Sequence, residues 1–140
     1  MNQPVLRNER SDVVELRIPC KPEWVALARL AVAAVANRMH FSIDEIEDIK
    51  LAVAEACTNA IQHSDGTNHI DIECHTGDEG LRIRVRDKAH VARPEAVKSG
   101  GGDATEGLGV FLIRSLMDEV SYDVHAEAGT ELVMFKRLPE

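Results

Sequence analysis

Two neighbouring stretches of this chain space their apolar residues differently, and that contrast limits the folds open to it. From Trp24 to His63 they recur every three or four residues, the spacing of a helix that buries one face. From Ile70 to Val85 they recur every second residue, the spacing of a strand that buries one side. A block of helices followed by strands joined through short turns cannot build the alternating units of a parallel sheet. It indicates an α+β sandwich, a mixed and mostly antiparallel sheet with its helices on one face.

Local signals divide the chain further. Val14, Leu16 and Ile18 alternate and predict a strand over 12–18. Pro22 suits a first helical turn, and the Ala-rich stretch after it predicts a helix to Met39. Ser42-Ile43-Asp44-Glu45 is a capping box, with Ser42 as N-cap, opening a second helix that runs to about His63. Its stripe of Ile46, Ile49, Val53, Cys57 and Ala60 belongs to the core. Ile70, Ile72 and Cys74, then Leu81, Ile83 and Val85, predict two strands turned by Gly77-Asp78-Glu79-Gly80. Arg82, Arg84 and Arg86 fall on the opposite face of the second of these and read as a solvated sheet face. Periodicity vanishes over 88–106, where Pro94 and Gly100-Gly101-Gly102 predict a long loop of the kind that serves as a lid. A helix over 107–117 and two strands, over 120–124 and 130–136, complete the order.

With 140 residues, a single domain over 1–140 is expected. Sixteen Lys and Arg against twenty-four Asp and Glu leave a charge of −8, which disfavours a chain-wide grip on nucleic acid or an anionic membrane. The segment Met1 to Asp12 has no apolar core, and no apolar stretch approaches the ~20 residues of a membrane span. Cys20, Cys57 and Cys74 are odd in number and widely separated, as expected of reduced thiols in a cytoplasm. No Cys-x-x-Cys or His-x-x-x-His pair offers a zinc-type site.

Glu55 and Asn59 stand four apart on the second helix, so they share a face, and His63 follows one turn later. A carboxylate one turn from a carboxamide can serve as general base beside a ligand for a metal ion, and magnesium prefers such oxygens together with substrate phosphates. Alone, the pair would read as the wet side of an amphipathic helix. Asp87 ends a strand, where a carboxylate can accept a hydrogen bond from a ligand or simply form a turn. Glu106-Gly107-Leu108-Gly109 opens a helix after the Gly-rich loop, letting backbone N–H groups approach a phosphate. The sequence has neither a P-loop nor the strand-to-helix order of a dinucleotide fingerprint.

In combination these features resemble the anti-sigma factor serine kinases of the Bergerat-fold (GHKL) ATPase superfamily. The likeness rests on Asp44 to Lys50, Glu55 to His63, and Gly107-Leu108-Gly109 through Leu116-Met117-Asp118-Glu119-Val120, with Pro19 to Arg29 in the first helix. It covers nearly the whole chain and looks closest to the general-stress sigma factor branch. The resemblance implies ATP and Mg2+ as cofactors, with Glu55 activating a serine hydroxyl of a protein substrate and Asn59 as the magnesium ligand. Asp87 would read the adenine amino group with support from Thr130, while Gly107 and Gly109 would let the lid helix meet the phosphates. Arg29 would contact a sigma factor or its antagonist from the first helix. The implied partners are a sigma factor, a STAS-type anti-anti-sigma factor carrying the substrate serine, and a second copy of the chain as a homodimer.

One position departs from the family pattern. Asp87-Lys88-Ala89-His90 has Ala89 where Asp-x-Gly is usual. A Cβ at a position needing positive φ, or close approach of a nucleotide, costs about 1 kcal/mol or more. The alternative to a kinase is therefore a partner-switching binding module with a degenerate nucleotide site that phosphorylates nothing.

Overall fold

Helix α2, Ile43–Gln62, begins where its capping box directs. Ser42 Oγ accepts from the Glu45 N–H at 3.1 Å, and Glu45 Oε1 accepts from the Ser42 N–H at 2.7 Å. Two of the N–H groups that a helix start leaves unpaired are thereby satisfied. The structure is a computed structural model that describes residues 11–63, 69–87, 107–125 and 129–139. Helix α1, Val25–Asn37, is entered through a single 3-10 turn, Pro22–Trp24, with proline where its missing N–H costs nothing. It lies on α2, burying Ala28, Val32, Val35 and Ala36. A third helix, α3, occupies 107–116.

The strands are β1 (Val13–Pro19), β2 (His69–Thr76), β3 (Gly80–Asp87), β4 (Glu119–His125) and β5 (Gly129–Arg137), each within a few residues of its predicted span. They form one sheet in the order β1-β2-β3-β5-β4, and all four pairings among these described strands are antiparallel. Chain order and sheet order differ because β5 inserts between β3 and β4.

Period-two alternation sends one set of side chains toward the helices. Ile70, Ile72 and Cys74 of β2, Leu81, Ile83 and Val85 of β3, and Leu132 and Met134 of β5 are all buried. They meet Ile49, Ala52, Val53, Ala56 and Cys57 of α2 and Val110 and Ile113 of α3 in one core. The opposite face carries charge, as expected of the arginine ladder. Arg84 Nε lies 2.9 Å from Glu131 Oε2, a charge contact rather than an aligned hydrogen bond, and Arg84 Nη1 lies 3.5 Å from Glu73. Arg17 pairs with Asp71 at 2.8 Å. A hydrogen bond with His75, then the charges of Arg84 and Arg86, hold the Glu73 carboxyl below the usual carboxylate range. Such surface pairs set charge register more than they add stability.

Two features of the core give measurable consequences. Gly80 is buried opposite Arg137, and a Cβ there would run into the Lys136 carbonyl oxygen and come within 2.8 Å of Phe135 Cζ. Gly80→Ala should lower stability by about 3 kcal/mol in urea titration, because the obstacle is backbone and cannot step aside. Burial pushes the Cys57 thiol up to about 12, with a smaller contribution from Cys20, and the Cys74 thiol up to about 11. At pH 9, where an ordinary thiol is half ionised, roughly a thousandth of Cys57 is thiolate. Ellman's reagent at that pH should therefore leave Cys57 and Cys74 unmodified in the folded protein and detect all three cysteines once it is denatured.

Candidate functional site

Three polar side chains are buried among the described residues: Asn59, Asp87 and Thr130. Burying a polar group is costly unless it is well partnered, so a buried polar cluster is more informative than any exposed one. All three come from the residues singled out in the sequence, and they gather at one end of the sheet.

Asp87 continues the core-facing row of Leu81, Ile83 and Val85 by one further step, so its carboxylate faces the helix side with only 2 % exposure. In register it has Ile70 of β2 on one side and Thr130 of β5 on the other. Directly opposed side chains in a sheet stand about 5 Å apart at Cβ, near enough for Thr130 to act with Asp87 on one ligand group. Beyond Thr130, Val124 of β4 completes the row, and Tyr122 lies one row further into the sheet opposite Leu132.

Above this row lies the outward turn of α2. Glu55 is half-buried and Asn59 is buried one turn later. Asn59 Nδ2 donates to the Tyr122 hydroxyl at 3.2 Å. With the nitrogen engaged, Oδ1 is the atom of the carboxamide left for a cation, and an oxygen donor suits Mg2+. Among the described residues no three His, Cys, Asp or Glu side chains converge on one point. A cation held here would take most of its ligands from phosphate and water, which is the habit of Mg2+, so these residues fit the ion the sequence implies. His63 ends the helix, its N–H reaching the Asn59 and Ala60 carbonyls.

Helix α3 reaches the same place. A Cβ built at Gly109 would lie 3.3 Å from Glu55 Oε1, so the first turn of α3 rests on the Glu55 carboxylate. The two glycines of this turn serve different needs. Gly107 has φ of +64°, a left-handed conformation, and open space around it; Gly109 has φ outside that region and a close neighbour in the Glu55 carboxylate. Leu108 and Phe111 beside them are exposed.

The structure thus brings Glu55, Asn59, Asp87, Thr130 and Gly109 to one end of the sandwich. Arg29 stands apart, exposed on α1 beside exposed Leu27 and Leu30. Ala89 and the loop expected over 88–106 lie outside the described residues. Tyr122 was visible in the sequence only as one apolar step of a strand. The signal that could have found it is that the chain's only tyrosine puts a polar tip on a core-facing position. No described helix is long and apolar enough to cross a membrane.

Comparison with known proteins covers the same span. The family model of the histidine kinase-like ATPase domain matches residues 18–136. The chain is 38% identical to the serine-protein kinase RsbW of Bacillus pumilus, across 94% of this chain and 89% of that protein. It is 37% identical to the serine-protein kinase RsbW of Listeria innocua, across 92% and 89%. For the protein of the same name from Bacillus subtilis the identity is 35%, across 91% and 87%.

The different duties of the two glycines can be separated. Gly107→Ala should cost about 1 kcal/mol in urea titration, the strain of a left-handed alanine. Gly109→Ala should leave stability unchanged or slightly raised, since alanine is the better helix former. It should instead shift the Glu55 carboxyl carbon resonance, because the new methyl group displaces that carboxylate.

Proposed function

The chain belongs to the family of histidine kinase-like ATPase domains, and on that premise we propose that it is an anti-sigma factor and ATP-dependent protein serine kinase. It forms a single domain over 1–140, acts in the cytoplasm as a homodimer, and switches between two protein partners. One is a sigma factor that it sequesters. The other is a STAS-type anti-anti-sigma factor, which it phosphorylates on serine and so releases. The observation that carries this reading is the convergence of Glu55 and Asn59 with the opening turn of α3, above the buried pair Asp87 and Thr130.

In this mechanism Asp87 accepts a hydrogen bond from the adenine amino group, with Thr130 beside it. That anchors the base at the sheet end and directs the phosphates toward α3. Gly107 and Gly109 allow the backbone of the first turn of α3 to approach them, and the partial positive charge of a helix N-terminus favours theirs. Asn59 offers Oδ1 to magnesium, which when bound neutralises charge on the phosphates. Glu55 then takes the proton of the substrate serine as its oxygen bonds to the γ-phosphorus and the bond to the bridging oxygen of ADP breaks. Phosphoryl transfer asks the protein mainly for this positioning and charge neutralisation. Arg29, exposed on α1, contacts the sigma factor or the antagonist, and the net charge of −8 suits a basic partner surface.

A second reading, the non-phosphorylating module with a degenerate nucleotide site, rests on Ala89. The grouping of Glu55 and Asn59 beside the opening turn of α3 supports the kinase, since it sets a base and an oxygen ligand together where phosphates would meet the helix start.

Glu55→Ala should reduce phosphate transfer to the purified antagonist at least a hundredfold, the usual weight of a general base, while sigma factor capture persists. Phosphorylation is read by the mass shift of the antagonist. Undiminished transfer in the variant removes Glu55 from the mechanism. A parent protein that captures the sigma factor but transfers no phosphate favours the non-phosphorylating module.

A further inference from the structure

Tyr122 lies on β4, at the edge of the sheet and outside every segment that carries the family resemblance, yet its hydroxyl is the hydrogen-bond partner of Asn59. We propose that Tyr122 is a positioning residue that orients the Asn59 carboxamide, holding Nδ2 on its own hydroxyl so that Oδ1 faces the magnesium position. The proposal rests on the reading of Asn59 as the magnesium ligand.

The reasoning starts from the chemistry of the carboxamide. Its two ends are nearly equal in size and opposite in role: the nitrogen donates only, and the oxygen alone can bind a cation. Rotation by half a turn about the last side-chain bond exchanges them and turns a ligand into a repulsive donor. Asn59 is 8 % exposed, so bulk water contributes little to choosing between the two settings. In the structure the Tyr122 hydroxyl accepts from Nδ2 at 3.2 Å, which pins that end of the carboxamide and leaves Oδ1 at the other.

The tyrosine is well placed to be fixed. Its ring packs against the hydrophobic core, and it stands opposite Leu132 on the helix-covered face of the sheet. Two side-chain torsions carry the hydroxyl, far fewer than a lysine or glutamine would need to reach the same atom. Its strand neighbour Val124 lies opposite Thr130, which lies opposite Asp87. One sheet end thus positions both the carboxylate assigned to adenine and the partner of the residue assigned to the metal. Partners that hold a metal ligand in orientation commonly weigh ten- to a hundredfold in metal affinity.

The test compares Tyr122→Phe, Asn59→Asp and the double variant with the parent, in the full chain. Calorimetric titration of ADP at stepped MgCl2 reads the Mg2+ concentration for half-maximal nucleotide binding. Tyr122→Phe should raise it about tenfold. An aspartate has oxygens at both ends and needs no orienting, so adding Tyr122→Phe to Asn59→Asp should change the requirement by no more than about twofold. A tenfold loss in both backgrounds would show a general structural role and overturn the proposal. So would an unchanged requirement in Tyr122→Phe when Asn59→Ala raises it. If Asn59→Ala itself leaves the requirement unchanged, the magnesium role of Asn59 falls and this proposal falls with it.

A readout free of metal and nucleotide complements the cycle. The Asn59 side-chain amide protons should exchange slowly with solvent in the parent and about tenfold faster in Tyr122→Phe. Rapid exchange in the parent would overturn the proposal without any variant.

Discussion

Helix α2 has one rotational setting about its axis, and that setting must satisfy two demands at once. It has to press Ile49, Ala52, Val53, Ala56 and Cys57 into the core, and it has to leave Glu55 and Asn59 at the edge where a ligand can reach them. Both demands are met because the two polar residues lie four apart, on a stripe next to the apolar one. Residues 52 and 56 are alanines, small enough for the helix to sit close over β3 and β5. A rotation of even part of a turn would swap Glu55 for a core residue. The capping box fixes where the helix starts, and the core fixes its phase.

The other components of the site depend on that seating. Asp87 and Thr130 are continuations of apolar rows in β3 and β5, polar residues where the next core residue would have been. The sheet therefore presents them toward α2 rather than toward solvent, for the same period-two reason that buries Leu81 and Leu132. Helix α3 closes the arrangement from the side, and the missing side chain of Gly109 leaves the Glu55 carboxylate its place against the first turn. The core and the site share one set of elements, and the boundary between them is a change of residue type along continuous rows.

The two outer surfaces differ in kind. The helix-free face of the sheet is a lattice of paired charges involving Arg17, Asp71, Glu73, Arg84 and Glu131. Opposite charges interleaved across strands discourage pairing with the face of an unrelated sheet and explain why the arginine ladder needs no bound anion. The exposed side of α1 and of the 3-10 turn before it instead shows Trp24, Leu27 and Leu30 around Arg29. These large apolar side chains lie away from the buried polar cluster, so the proposed kinase keeps its nucleotide machinery and its α1 surface on separate elements.

Secondary structure was legible in the sequence because each element announces itself through neighbours. Ser42 and Glu45 are three residues apart, the strand alternations need no partner to be seen, and Gly77 to Gly80 marks its own turn. Glu55 and Asn59 were legible as a pair for the same reason, since helical periodicity alone puts them on one face. What the chain order could not tell was that β5 would insert between β3 and β4, because strand order is decided by which faces pack best across the whole sheet. Without that order nothing sets Thr130 beside Asp87, and Tyr122 looks like an apolar strand residue rather than the partner of Asn59, 63 positions away. The contact of Gly109 with Glu55 has the same origin, since a distance between two helices is written in neither of them. Local periodicity and capping thus came from the sequence by itself. The meeting of α2, α3, β3, β4 and β5 at one buried polar end came only with tertiary packing, because long-range contacts depend on every side chain that fills the space between them.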